Sequence, residues 1–63
     1  MKPSELKSAR HRLGLSAQGM ADAVGIADGR TVRHWESGAR PVTRPVALLV
    51  RYMLKYGLPD KAL

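Results

Sequence analysis

The sequence predicts an all-α fold with four main helices. Apolar residues recur at helical spacing in four segments, and capping residues, glycine or proline bound each segment. No segment shows the alternation of polar and apolar residues that is typical of a strand. With 63 residues and no cysteine, the chain is expected to form one domain, residues 1–63, without disulfide bonds.

The charge of the chain is strongly basic. Eleven lysines and arginines oppose five acidic residues, which gives a formal net charge of +6. Such an excess is typical of proteins that bind a nucleic acid or an anionic membrane, and equally of a solvated basic surface. The first residues lack the apolar segment of a signal peptide, and the most apolar run, 46–58, is shorter than the ~20 residues of a membrane span. We therefore expect a soluble, cytoplasmic protein.

The first helix is predicted from an apolar stripe that ends at a glycine. Ser4 is expected to cap its N-terminus, and Gly14 is expected to end it. Leu6, Arg10 and Leu13 follow one another at the spacing of a single helical face. Arg10 is therefore a charged residue on a face that should be buried.

The second helix is predicted between a serine cap and a glycine. Ser16 is the expected cap, and Leu15 and Met20 have the spacing of a hydrophobic staple around it. Val24 should face the core with Met20, and Gly25 should end the helix.

The third helix is expected to follow Asp28 as its cap and to end at Gly38. The predicted third helix has two faces of different composition. The outward face, at i, i+3, i+4 and i+7, carries Arg30, Arg33, His34 and Ser37. The inward face carries Val32, Trp35 and Glu36. One face is thus apolar and suited to docking, and the other is basic and presented to solvent.

A fourth helix, about residues 44–56, is expected to support the other three. Thr43 is its predicted cap, and Pro45 falls in the first turn, where its missing N–H does no harm. Its predicted inner stripe consists of Val46, Leu49, Val50, Met53 and Tyr56.

Three motifs in this order resemble the phage-repressor/Cro type of helix-turn-helix domain, the XRE-like family. They are R-x-x-L-G-L-S at 10–16, A-x-x-x-G at 21–25 and T-V-x-x-W-E-x-G at 31–38. The resemblance covers residues 6 to about 54 and implies a compact four- to five-helix lambda-repressor-like domain, with the helix-turn-helix motif at 16–37. The chain departs from the family by one additional residue between Gly25 and Val32, and its short C-terminal end makes a full fifth helix unexpected.

In this family the third helix lies in the major groove of DNA. Carried over by position, the resemblance implies these base-reading residues: Gly29, Arg30, Arg33, His34 and Ser37. The expected phosphate contacts are Ser16, Gln18, Thr31, Arg40 and Arg44. Arginine pairs well with two acceptor atoms of guanine, which is consistent with the first assignment. The resemblance also places Arg10 opposite Glu36 as an internal ion pair, so both are expected to be structural.

The implied function is sequence-specific binding of duplex DNA by a transcriptional regulator. We expect a repressor or autorepressor of a phage or mobile-element operon, in a bacterial cell, that acts as a homodimer on a pseudo-palindromic operator. The expected dimer seam consists of Leu48, Tyr52, Leu58 and Leu63, although Tyr52 could equally complete the core. An alternative is an antitoxin-type protein that binds a partner protein as well as DNA.

Other classes of function receive little support from the residues. No aromatic platform for stacked bases is visible, which disfavours a single-strand or RNA binder. No cysteine nucleophile, phosphate-binding glycine loop or metal-ligand spacing is present. We therefore expect no enzymatic activity, catalytic residue, metal, cofactor or small-molecule substrate.

Overall fold

A computed structural model describes residues 1–58 and contains four α-helices in this part of the chain. They are α1 (Pro3–Arg12), α2 (Ala17–Ala23), α3 (Gly29–Ser37) and α4 (Arg44–Tyr56). Between residues 1 and 58 there is no strand. The prediction of a small all-α chain with four helices is confirmed, and α4 has the predicted bounds.

The start of α1 differs from the prediction. The helix begins at Pro3, so that Lys2 is the N-cap residue and Ser4 lies inside the first turn. The backbone N–H of Lys2 donates to Oε1 of Glu5, at an N···O distance of 3.1 Å. Proline at the first helical position explains the earlier start, because its φ is already helical and it has no N–H to leave unpaired.

The connection between α2 and α3 is formed by local hydrogen bonds. Oγ of Ser16 accepts from the N–H of Gly19 at 2.9 Å, which confirms Ser16 as the cap of α2. After the helix, Gly25 has a φ of 80°, a conformation that glycine adopts without strain, and the N–H of Ile26 donates back to the carbonyl of Ala21 at 2.9 Å. Val32, in the first turns of the following helix, is buried in the core.

The core lies where α3 packs on α2 and α1, and α4 closes it against α1. Its largest fully buried side chains are Leu6, Met20, Val32, Val50 and Met53. Trp35 of α3 is also buried, at 5% exposure. The inner face of α3 is therefore the central contact of the fold, because burial of large apolar side chains is its main stabilising term.

The prediction of the inner stripe of α4 is wrong for one residue. Val46, Val50 and Met53 are buried and Leu49 is half-buried, but Tyr56 is 65% exposed. Tyr56 lies four residues after Tyr52 and packs against that ring, with 4.7 Å between the ring centroids. It thus belongs to the outer side of the helix, because residues four apart share a face.

Candidate nucleic-acid interface

The two faces of α3 have opposite surroundings. On the inner side Val32 and Trp35 are buried in the core. On the outer side Arg30, Arg33 and His34 are exposed to solvent. The structure therefore brings these three predicted base-reading residues together on one open surface, which we call the basic face of α3.

The N-terminus of α3 is held by the side chain of Gln18 on α2. Oε1 of Gln18 accepts from the backbone N–H of Gly29 at 3.0 Å, while Nε2 donates to Oδ1 of Asp22 at 3.1 Å and to the carbonyl of Ala27 at 3.4 Å. Both donors of the amide are thus used within the protein. The amide therefore positions the connection and α3, and the phosphate contact of Gln18, an exposed residue, stays a prediction.

Gly29 is buried rather than presented to solvent. A Cβ atom at this position would lie 2.7 Å from the backbone nitrogen of Gln18 and 2.9 Å from its Cα. Neither backbone atom can move without displacing α2. Glycine is therefore required here because two helices approach each other closely, and the base-reading role of Gly29 stays a prediction.

The N-termini of α2 and α3 meet at an open cleft of about 230 Å³. The residues lining it are Ala17, Gln18, Asp28, Gly29, Arg30 and Arg33. Two of the outward arginines thus stand at the edge of a depression formed where the helices approach. A flat or convex surface would offer less contact to an inserted chemical group.

Asp28 has a second role in addition to the cap that the sequence predicted. Its Oδ1 accepts from the N–H of Arg30 at 2.8 Å, and its Oδ2 lies 4.0 Å from Nε of the same residue. Both side chains are largely exposed, at 61% and 80%. This contact partly balances the charge of Arg30, whereas Arg33 makes no ion pair with any residue of 1–58. The two arginines are therefore not electrostatically equivalent.

Two serines among the predicted contacts differ in whether their hydroxyl hydrogen is already used in a hydrogen bond within the protein. The Oγ of Ser37 donates to the carbonyl of His34 at 3.1 Å and accepts from the N–H of Ala39 at 3.4 Å. Ser37 therefore closes the C-terminal turn of α3, and its role as a base reader stays a prediction. Ser16 is exposed and accepts from Gly19, so its hydroxyl hydrogen is still available to an anion.

The remaining predicted phosphate contacts lie at the C-terminal side of α3 and on its flank. Arg40 and Arg44 are exposed, and neither forms an ion pair within the described part of the chain. Thr31 is half-buried, so only part of it faces solvent. The two arginines add positive charge to the segment that leaves the basic face of α3.

The predicted ion pair between α1 and α3 is present. Nε of Arg10 lies 2.7 Å from Oε2 of Glu36, and Nη2 lies 3.1 Å from Oε1, so the guanidinium holds the carboxylate with two hydrogen bonds. The third donor, Nη1, reaches the carbonyl of Leu15 at 3.1 Å. Only 16% of the arginine side chain and 10% of the glutamate side chain are exposed.

The hydrogen bond that Arg10 donates to Glu36 raises the pKa of Arg10. Burial opposes this effect, and the negative charge of Glu36 adds to it. Because the pKa of Arg10 is higher in the folded state, the ion pair stabilises the fold at every pH below the pKa of the unfolded state. This stabilisation is lost only as the pH rises through the pKa of the folded state. The arginine is therefore charged, and this contribution complete, at neutral pH.

The predicted dimer seam lies on α4. Leu48, Tyr52 and Leu58 are exposed, at 55%, 59% and 46%, whereas Leu63 lies outside the described residues. Tyr56 joins this surface, and the sequence interpretation missed it. Its spacing of four from Tyr52, and of eight from Leu48, is the signal that could have indicated it.

Comparison with protein-family models, with curated proteins and with solved structures finds no match to this chain. Among the described residues, no group of three or more His, Cys, Asp or Glu side chains is arranged to hold a metal ion. None of the four helices has the length and apolar character that crossing a membrane requires.

Proposed function

We propose that this chain is a helix-turn-helix domain of the phage-repressor/Cro type that binds duplex DNA in a sequence-specific manner. The observation that carries the proposal is the basic face of α3. Arg30, Arg33 and His34 are exposed together, while Val32 and Trp35 fix the opposite side of the same helix in the core.

The dimensions of α3 suit the major groove. A helix is about 10–12 Å across with its side chains, and the groove is about 12 Å wide. Nine residues rise about 14 Å along the axis, enough to follow a few base pairs. Because α3 is held by the core, its outward side chains are already positioned and lose less conformational entropy on binding DNA, which favours reading of bases.

Within this proposal, the residues divide into two roles. Arg33 is the principal base reader, since its guanidinium has no carboxylate partner among residues 1–58 and can approach O6 and N7 of guanine with two donors. Arg30 and His34 contact the neighbouring base pairs. Ser16, Arg40 and Arg44 flank α3 and contact phosphates, which fixes the orientation of the helix without reading sequence.

The biological role that accords with such a unit is repression. A small domain that occupies a specific site on a promoter excludes polymerase from it, and two copies on half-sites ~34 Å apart lengthen the sequence that is read. The exposed apolar side of α4 favours a second candidate, an antitoxin-type regulator that also binds a protein.

Selection of bound sites from random duplex DNA tests the proposal. We expect a converged motif, bound in the presence of excess unrelated DNA, with an affinity that falls steeply with salt because arginines displace counterions from phosphates. If no motif emerges, or if the chain binds scrambled duplexes as tightly as the selected one, sequence-specific reading by α3 is excluded.

A further inference from the structure

The outer side of α4 carries an apolar stripe that DNA binding does not require. Leu48, Tyr52 and Tyr56 stand at i, i+4 and i+8 and are 55%, 59% and 65% exposed. Leu58, two residues beyond the end of the helix, is 46% exposed. Single exposed apolar residues are ordinary, but three on one face of a helix indicate an interaction surface.

The aromatic part of this stripe is packed rather than splayed into solvent. The rings of Tyr52 and Tyr56 have centroids 4.7 Å apart and planes inclined at 42°. Nζ of Lys55 lies 5.3 Å from the centroid of the Tyr56 ring. Both contacts restrict the side chains before any partner arrives, so less conformational entropy is lost on binding.

One edge of the stripe is uniformly basic. Arg44, Arg51 and Lys55 are exposed. A helical rotation of about 100° per residue places the Cα atoms of all three within about 60° of Leu48, on the side away from Tyr52, and the ammonium of Lys55 reaches back to the Tyr56 ring. Residues 44–58 include no acid. None of the three cations forms an ion pair within the described residues.

This distribution of charge disfavours a second copy of the chain as the occupant. In an antiparallel two-fold contact through the stripe, the symmetry sets each basic edge beside its equivalent. In a parallel contact, the basic edge meets the tyrosines and no carboxylate. Like charges brought together oppose association in the antiparallel arrangement, and neither arrangement supplies a carboxylate to pair with the cations.

We propose that the stripe binds an acidic amphipathic helix of a partner protein. Apolar residues of that helix pack on Leu48, Tyr52 and Tyr56, and carboxylates on its flank pair with Arg51 and Lys55. Apolar anchors supply the affinity and the charged edge fixes the orientation, as in other complexes in which an amphipathic helix lies on an apolar surface.

A displayed library of helical peptides tests the proposal with the full chain. Leucine is fixed at i, i+4 and i+7, and the flanking positions encode Glu, Gln or Lys in equal proportion. We expect Glu to be enriched on the wild-type chain and Lys on the chain that carries both Arg51→Glu and Lys55→Glu. Tyr52→Ser should weaken the selected peptide by about 30-fold or more, the loss typical of a central aromatic anchor.

Controls separate this surface from DNA binding and from other occupants. Arg33→Ala should bind the selected peptide as the wild type does, whatever its effect on DNA. A thermal melt shows that the exposed α4 variants still fold. The proposal is overturned if no peptide is enriched, if the charge preference is the same on both chains, or if Tyr52 instead mediates self-association in sedimentation or binding to vesicles of anionic phospholipid.

Discussion

The inner and outer faces of α3 each carry a contact between an arginine and a carboxylate, and the two contacts differ in geometry and burial. On the inner face Arg10 holds Glu36 with two hydrogen bonds, at 2.7 and 3.1 Å, and little of either side chain is exposed. On the outer face Nε of Arg30 lies 4.0 Å from Asp28, and both side chains are largely in solvent.

The comparison shows how one short helix can be fixed on one side and available on the other. A shielded pair with two hydrogen bonds is weakly screened, and loss of either partner leaves a charge without compensation. An exposed pair at 4.0 Å is screened by water and salt and contributes little. Arg30 can therefore exchange Asp28 for another acceptor, whereas Arg10 cannot leave Glu36 without disturbing the fold.

Matched amide substitutions give the largest expected effect. Glu36→Gln keeps the shape of the side chain but removes its charge, so Arg10 is left poorly compensated. We expect the free energy of unfolding to fall by about 2–3 kcal/mol, less than the ~3–5 kcal/mol of a fully buried pair. For a domain of this size the melting temperature, followed by circular dichroism, should fall by about 8–24 °C.

Asp28→Asn is the control for that substitution. Asparagine caps helices as well as aspartate does, so only the exposed charge contact is lost and the change should be below about 0.5 kcal/mol. Replacing Arg10 and Glu36 together by methionine should recover much of the stability, because no lone charge remains. Equal effects of the two amide substitutions would contradict the distinction between the faces.

A second prediction concerns the approach of α2 to α3. Gly29→Ala introduces a Cβ that would lie 2.7 Å from the backbone nitrogen of Gln18, so α3 has to move. We expect destabilisation of about 1–3 kcal/mol, as for other overpacked sites, and weaker DNA binding. Denaturant unfolding and a binding titration measure the two effects.

Gly19→Ala is the matched control, because Gly19 also lies within a helix. There the new Cβ meets the side-chain atoms of Ser16 and Leu15, at 3.2 and 3.4 Å, rather than backbone. Alanine gains about 1 kcal/mol of helix propensity, which offsets a small displacement of those atoms. A Gly29→Ala protein as stable as Gly19→Ala would show that the close approach is not required.

Apart from the control substitutions, the smallest expected effect is that of Ser37→Ala. The hydroxyl of Ser37 is used within the C-terminal turn of α3, so its removal should lower the free energy of unfolding by about 0.5–1 kcal/mol. The relative affinities for selected and altered sites should not change. Loss of discrimination at a single base pair would identify Ser37 as a base reader.

Periodicity and capping residues predicted much of the fold. Ser16 and Asp28 cap α2 and α3, and the inward face of α3 is buried as its spacing indicated. These features depend on residues close in sequence, whose local hydrogen bonds and helical faces follow general rules. The Arg10–Glu36 contact joins separate helices, and it was expected through the resemblance rather than from local spacing.

The features that the sequence did not predict have a different cause. The packing role of Gly29 and the hydrogen bonds of Gln18 depend on how closely α2 approaches α3, which no local pattern reports. Ser37 has the periodicity of the outward face, yet its hydroxyl satisfies nearby backbone groups. Tyr56 lies at the edge of the inner stripe, where a small rotation decides between core and solvent.

The central claim is that the outer face of α3 reads bases, and Arg33 tests it most directly. The affinities of the wild type and of Arg33→Ala are compared on the selected duplex and on duplexes altered at one base pair each. We expect Arg33→Ala to lose about 5- to 150-fold on the selected site and to lose its discrimination at one guanine position. Equal weakening on every duplex would instead identify Arg33 as a phosphate contact and contradict the claim.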